Sequence, residues 1–329
     1  MANATLDVLN VNFMLNTLDL SLTSSYVTCA VGILIYSFTL ICNLLLLLII
    51  ICNRTLHEPM YYLLFNLSLN DLIGISAVVP KVIYDLMFQS SLISYPACVI
   101  QAWCLHIYGG ATLLILSVMA FDRFIAICHP LRYHSLISKR TVKWLIILIW
   151  LTDFALVGAL FGLTLHFPVC RTLLVTIYCD NVSLLRLTCA TDITVNNIYG
   201  LFITGLFHGI GLFSVVFSYT QILLACFKGN DSDSKSKALH TCATHLLVFL
   251  IYELSGFAVV LVYRAPYSPP NLQKFMGMTF VIFPPSLNPI IYGVKTREIK
   301  VKMKQSYKKI ILSLNAKNMS KTKKTLSSQ

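Results

Sequence analysis

Arg123 follows Asp122 at the end of a long apolar run, and that adjacency is the strongest chemical statement in the chain. Charge is costly in such surroundings. An adjacent acid and base can neutralise each other there and be released by a change of conformation; the simpler reading is a pair that anchors a helix end. Asn43, Asp71 and Asn288 also stand within apolar sequence. Unpaired donors and acceptors there cost several kcal/mol, so these three should converge with water or a cation. A sodium ion near Asp71 is the one ion this cluster would take, and no cofactor is expected. Pro289 removes a backbone hydrogen bond beside Asn288, while Tyr219 and Tyr292 offer hydroxyls that could swing toward Arg123 if that end opened. The other reading of the set is a static packing network.

Three more residues could meet a small molecule. Glu253 is a carboxylate in an apolar run, a functional candidate by default, or else a protonated side chain bonded to a neighbouring helix. Arg264 follows it by 11 residues, almost three helical turns, so the two project from nearly one face about 16 Å apart. His106 precedes Arg123 by 17 residues, about 25 Å along a helix. Arg264 could instead snorkel to an interface and His106 pack against a loop. His240, Cys242 and His245 do not make a metal site: on a helix the first two point about 200° apart, and the tetrahedral set is incomplete. No nucleophile triad, carboxylate pair or phosphate loop appears in context, so an enzyme is not expected.

The elements that position these groups follow from composition. A chain of 329 residues that is 57% hydrophobic and 12% charged needs lipid as solvent. Seven apolar stretches exceed the roughly 20 residues that cross a bilayer core: Ser25–Cys52, Tyr61–Phe88, Val99–Ile127, Val142–Leu163, Ile198–Cys226, Leu239–Val262 and Phe275–Val294. Pro80, Pro168 and Pro266 mark ends or kinks. The expected fold is an all-α membrane protein, a seven-helix bundle over 25–294, with a segment 1–24 outside and a cytoplasmic tail 295–329 that begins with an amphipathic helix on the inner leaflet.

Of the 25 Lys and Arg, 20 fall on one side of these spans, among them Arg132, Lys139, Lys235 and eleven residues from Lys295 onward. The positive-inside rule then puts the amino terminus outside and the carboxyl terminus in the cytoplasm of a multi-pass plasma-membrane protein. The net charge of +12 is confined to loops and tail, which suits membrane lipid and a cytoplasmic partner, with no nucleic-acid footprint. No basic leader precedes the first span, which is expected to serve as the membrane signal. Asn3 and Asn181 open glycosylation tripeptides on the outer side. Cys98, Cys170, Cys179 and Cys189 share that oxidising side and allow three pairings, while the remaining cysteines read as packed thiols.

The string Met119-Ala-Phe-Asp-Arg-Phe-Ile-Ala-Ile-Cys-His-Pro-Leu-Arg-Tyr133 resembles the signature of the olfactory receptors, within the rhodopsin-like G-protein-coupled receptors. Leu56-His-Glu-Pro-Met-Tyr-Tyr62, Leu67-Ser-Leu-Asn-Asp71, Ser218-Tyr-Thr-Gln-Ile222, Lys237-Ala-Leu-His-Thr-Cys-Ala-Thr-His245 and Pro285-Ser-Leu-Asn-Pro-Ile-Ile-Tyr292 extend the resemblance, in the family's order, over nearly the whole chain. It implies disulfides Cys98–Cys179 and Cys170–Cys189. It implies a small-molecule odorant as ligand, a heterotrimeric G protein of the stimulatory olfactory type as partner, and a switch through Asp122, Arg123, Tyr219, Asn288, Pro289 and Tyr292.

The long second outer loop with Tyr178-Cys-Asp180, and bases at His106 and Arg264, look like the family's water-soluble-odorant branch. That points to a carboxylate held by Arg264 with help from His106, and to an amine or hydroxyl at the ligand's far end near Glu253. The chain departs from the family at Phe121 and Phe124, usually tyrosines, at Cys42, usually glycine, and at Glu253, usually aromatic. A non-olfactory receptor for a peptide, amine or amino-acid-like ligand should lack the Met119 and Lys237 strings. A transporter or channel should carry an internal repeat, and none is found.

Overall fold

The structure is a computed structural model that describes residues 11–16, 20–174, 176–228, 232–265, 268–296 and 298–305. Seven helices long and apolar enough to cross a membrane form the bundle: α1 (Leu22–Cys52), α2 (Pro59–Phe88), α3 (Tyr95–Cys128), α5 (Lys139–Leu165), α7 (Thr194–Lys228), α8 (Ser232–Arg264) and α9 (Pro270–Lys295). Short helices α4 (Tyr133–Leu136) and α6 (Asn181–Leu187) lie between them. A short helix α10 (298–305) follows the seventh span. Tyr61 donates to Glu298 and Ile299 is fully buried, which fastens α10 to the end of α2.

Each long helix runs a few residues past the apolar stretch that announces it. Local chemistry sets the true ends. Ser21 caps α1 by accepting from Ser24 N, Ser138 caps α5 by accepting from Thr141 N, and α2, α3 and α9 begin with proline, whose missing N–H has no partner to lose in a first turn. Pro80 sits inside α2 and Pro168 in the loop after α5. Pro266 lies outside the described residues, as does the tail from 306.

The most buried span is α3, which packs against α2, α5, α7 and α8. Its inward residues Tyr108, Ala111, Ile115 and Met119 are at most 1% exposed and join one core with Leu64, Leu67 and Ile75 of α2. The outward faces carry exposed leucines, isoleucines and phenylalanines such as Leu34, Leu151 and Phe213, the surface that lipid would cover.

The Cys98 end of the bundle is roofed, and among the described residues the roof holds the strands of the fold. Strand β1 (Asn12–Met14) pairs antiparallel with β2 (Leu92–Ser94), Phe13 opposite Ile93. Met14 N donates to Thr172 O and Leu174 N to Met14 O, so β1 also grips the loop between α5 and α7. Residues 11–16 therefore belong to the folded body. Phe13 and Leu15 are buried in a second core with Phe161, Leu174 and Leu187.

Candidate functional site

Two disulfides hold the roof, joining Cys98 to Cys179 and Cys170 to Cys189, both with Cα atoms 5.3 Å apart. These are the pairings that the resemblance implies. Gln101 reinforces the first: its Oε1 accepts from Cys179 N at 2.7 Å and its Nε2 donates to Ala77 O at 2.9 Å, tying loop, α3 and α2 together. Tyr178 is thereby held over the bundle, where Tyr263 donates to its hydroxyl at 3.1 Å. Burial and the nearby Asp180 carboxylate push the Tyr178 hydroxyl above its usual range, so it stays neutral. Asp180 caps α6, accepting from Ser183 N at 2.6 Å.

Beneath this roof lies a cavity of about 220 Å³ between α3, α5, α7 and α8. Its walls are largely apolar, with Leu105, Val157, Ile203 and Val260 among them, and its polar groups are few. Such a composition fits a small organic molecule oriented by a handful of contacts. Tyr252 and Phe280 line it too, and their rings stand 5.2 Å apart against Tyr108. Tyr252 donates to Gly109 O at 2.8 Å, which fixes that wall.

His106 and Arg264 both line this cavity, so the fold brings the two expected bases together. The His106 Nδ1 donates to Ala102 O at 2.9 Å, which leaves Nε2 as the ring atom available to a ligand. Arg264 ends α8 and reaches toward α7: a Cβ placed on Gly200 would stand 4.0 Å from its Nη2. Glu253 is placed differently. It is 6% exposed and is absent from the cavity wall, because its Oε1 accepts from Nδ1 of His208 at 2.9 Å. The residue that meets the cavity there is His208, which the sequence reading passed over although it is an imidazole inside an apolar span.

A second missed group is Asp153 of α5, fully buried behind Gly110. It is the sole acid between Val142 and Leu163, so polarity within a span was the available signal.

At the opposite end, Arg123 Nη2 and Nε donate to Asp122 Oδ2 at 2.6 and 3.1 Å. The other carboxylate oxygen, Oδ1, accepts from Tyr133 at 2.8 Å, a partner that pair chemistry alone did not name. Burial, with Asp122 beside it, pushes the Tyr133 hydroxyl above its usual range and keeps it a donor. Tyr292 is fully buried with its ring centroid 5.3 Å from that of His245, and Tyr219 packs against the same core.

Two direct ties join the interior polar residues to α9. Asn288 donates to Asp71 Oδ2 at 2.8 Å, joining α9 to α2. Asn43 donates to Thr39 O and to Pro285 O, both at 3.0 Å, joining α1 to α9 one turn away. Asn43 and Asp71 share no direct hydrogen bond among the described residues, and each is tied separately to α9.

The glycan expected on Asn181 is also corrected. That side chain is 4% exposed, its Oδ1 accepts from Thr164 at 2.6 Å, and it lines the cavity, so no sugar fits there. Asn3 lies outside the described residues, as do the side chains of His240 and Cys242. Among the described residues no cluster of three or more metal-ligating side chains occurs.

The family model described as olfactory receptor matches residues 32–310 of this chain. The chain belongs to the olfactory receptor family. Human olfactory receptor 52D1 is 35% identical over 271 residues, 82% of this chain and 85% of that receptor. Human olfactory receptor 52N4 is 31% identical over 301 residues, covering 89% and 92%, and mouse olfactory receptor 4B13 is 33% identical over 275 residues, covering 83% and 88%. Membership makes this a multi-pass, odorant-sensing G-protein-coupled receptor and not an enzyme.

Proposed function

We propose that this olfactory receptor responds to a small, water-soluble odorant carrying a carboxylate, bound in the cavity beneath the roof, and activates a stimulatory G protein at the Arg123 end. The observation that carries the ligand class is that Arg264 and His106 line one small, otherwise largely apolar cavity. A guanidinium can take a carboxylate in two parallel charge-assisted bonds, and the charge of a carboxylate bound there would itself favour the protonated His106 ring, whose Nε2 then adds a third donor. The excess of bases beyond α1, α3, α7 and α9 supports placing that end in the cytoplasm of a plasma-membrane protein, with the roof outside. A sodium ion beside Asp71 belongs to the same reading, supported by an Asp71 Oδ1 that is buried without a hydrogen-bond partner among the described residues.

Signalling follows as a population shift. Asp122, held by Arg123 and Tyr133, closes the resting arrangement. An odorant that binds the open arrangement better draws the equilibrium toward it, frees Arg123, and exposes a cleft for the G protein's carboxyl-terminal helix.

The test is a cyclic-AMP dose response in transfected cells to short-chain acids and their methyl esters. Arg264→Ala should weaken the acids at least tenfold, roughly 1.4 kcal/mol, at equal surface level. Esters as potent as their parent acids would replace this reading with an apolar odorant.

A further inference from the structure

Every other acid with a described side chain in the spans has a partner. Asp85 pairs with Lys81, Asp122 with Arg123, Glu253 with His208, and Asp71 accepts from Asn288. Asp153 differs: it is fully buried, and neither carboxylate oxygen has a hydrogen-bond partner among the described residues. A carboxylate in that setting is strongly disfavoured unless a cation or a donor reaches it.

Its surroundings show from where one could come. Gly110 lines the cavity, and a Cβ placed on it would overlap Asp153 Oδ1 and the edge of the Phe207 ring. The carboxylate therefore fills the space that a side chain at position 110 would occupy. Phe207 also lines the cavity. Gly110 and Phe207, which both lie on the cavity wall, thus stand beside Asp153. Gly110 lies one helical turn, about 6 Å, below His106 on α3, so Asp153, packed at Gly110, marks a level deeper in the bundle than the proposed acid-binding end.

We propose that Asp153 is the anchor for a ligand ammonium, which makes the inner end of this cavity an amine subsite and the preferred odorant a short chain with a carboxylate at one end and a primary amine at the other. This moves the far-end contact from Glu253, whose Oε1 His208 already occupies, to the acid that lacks a hydrogen-bond partner among the described residues. An ammonium suits better than a hydroxyl, because a buried carboxylate gains more from an opposite charge than from a neutral donor. The inference rests on the cavity being the ligand site.

The experiment compares δ-aminovalerate, δ-hydroxyvalerate, valerate and pentylamine by cyclic-AMP dose response, with surface receptor counted by biotinylation. The wild-type chain should respond to δ-aminovalerate at least tenfold more sensitively than to δ-hydroxyvalerate. Asp153→Asn should abolish that advantage and leave valerate unchanged. Phe207→Leu keeps the acid and removes part of the wall beside it, so it should enlarge the advantage and serves as the second measurement if Asp153→Asn does not reach the surface. An unchanged advantage in either variant overturns the proposal, and so does a wild-type receptor that ignores both amines. The acid-binding reading is judged separately, by valerate against its methyl ester: pentylamine active with valerate silent refutes the acid end and leaves Asp153 standing.

Discussion

Asn43 supplies the hydrogen bond that Pro289 cannot. In a regular helix the Pro285 carbonyl accepts from the backbone N–H of residue 289, but a proline has none to give. The Asn43 side chain, reaching from α1, donates to that carbonyl at 3.0 Å. A kink-prone stretch with prolines at 284, 285 and 289 is thus stabilised from a neighbouring helix, and the position of α9 is referred to α1.

Asn43→Ala should therefore cost more than a surface change, because it strands a buried carbonyl. The expected loss is about 1–3 kcal/mol, read as a lower thermal midpoint of detergent-solubilised receptor. A midpoint unchanged from wild type would show that the carbonyl is satisfied in another way.

The charged pair makes a two-part prediction. Arg123→Ala should abolish ligand-evoked cyclic AMP while surface expression survives, and normal signalling at equal surface level would remove Arg123 from the switch. Tyr133→Phe deletes one of the two partners of Asp122 and should raise basal cyclic AMP several-fold, in keeping with roughly 0.5–1.5 kcal/mol for one hydrogen bond.

The two disulfides should not be equal. Cys98–Cys179 closes 81 residues and Cys170–Cys189 closes 19; loop-closure entropy favours the former by roughly 1 kcal/mol, and it alone anchors the loop to α3. Cys98→Ser should lose surface delivery or ligand response more completely than Cys170→Ser. Peptide mapping of unreduced receptor that joined Cys98 to Cys170 or Cys189 would refute the pairing.

His208 and Glu253 should behave as one unit. Removing either leaves the other buried and uncompensated, so His208→Ala and Glu253→Ala should each destabilise the receptor while the double variant recovers part of the loss. A thermodynamic cycle on thermal midpoints should return a coupling of about 0.5–3 kcal/mol. Additive effects would mean that the contact carries no energy.

Spans and polar residues were legible in the chain because each has a local signature, length of apolar run and intrusion of polarity, while the disulfide partners followed only from the resemblance to a family. What lay beyond reach depends on neighbours that only tertiary packing chooses. Glu253 announced itself, yet its partner His208 sits 45 residues away on another helix, and nothing local tells a cavity residue from one turned to a neighbour. The tripeptide at Asn181 satisfies a pattern that carries no information on burial. The strand Asn12–Met14 is three residues long with alternating burial, too short for periodicity to register.

That strand bears on how the receptor can be engineered. Phe13 is fully buried, with its ring 5.7 Å from Tyr95 at the start of α3, and Met14 bonds the loop that carries Cys170. A biosensor trimmed to begin at the first span would discard a piece of the lid. Reporter domains belong ahead of residue 11, where the described fold begins, and a fusion that replaces residues 11–16 should yield a receptor with an unsealed cavity, whatever the integrity of its seven helices.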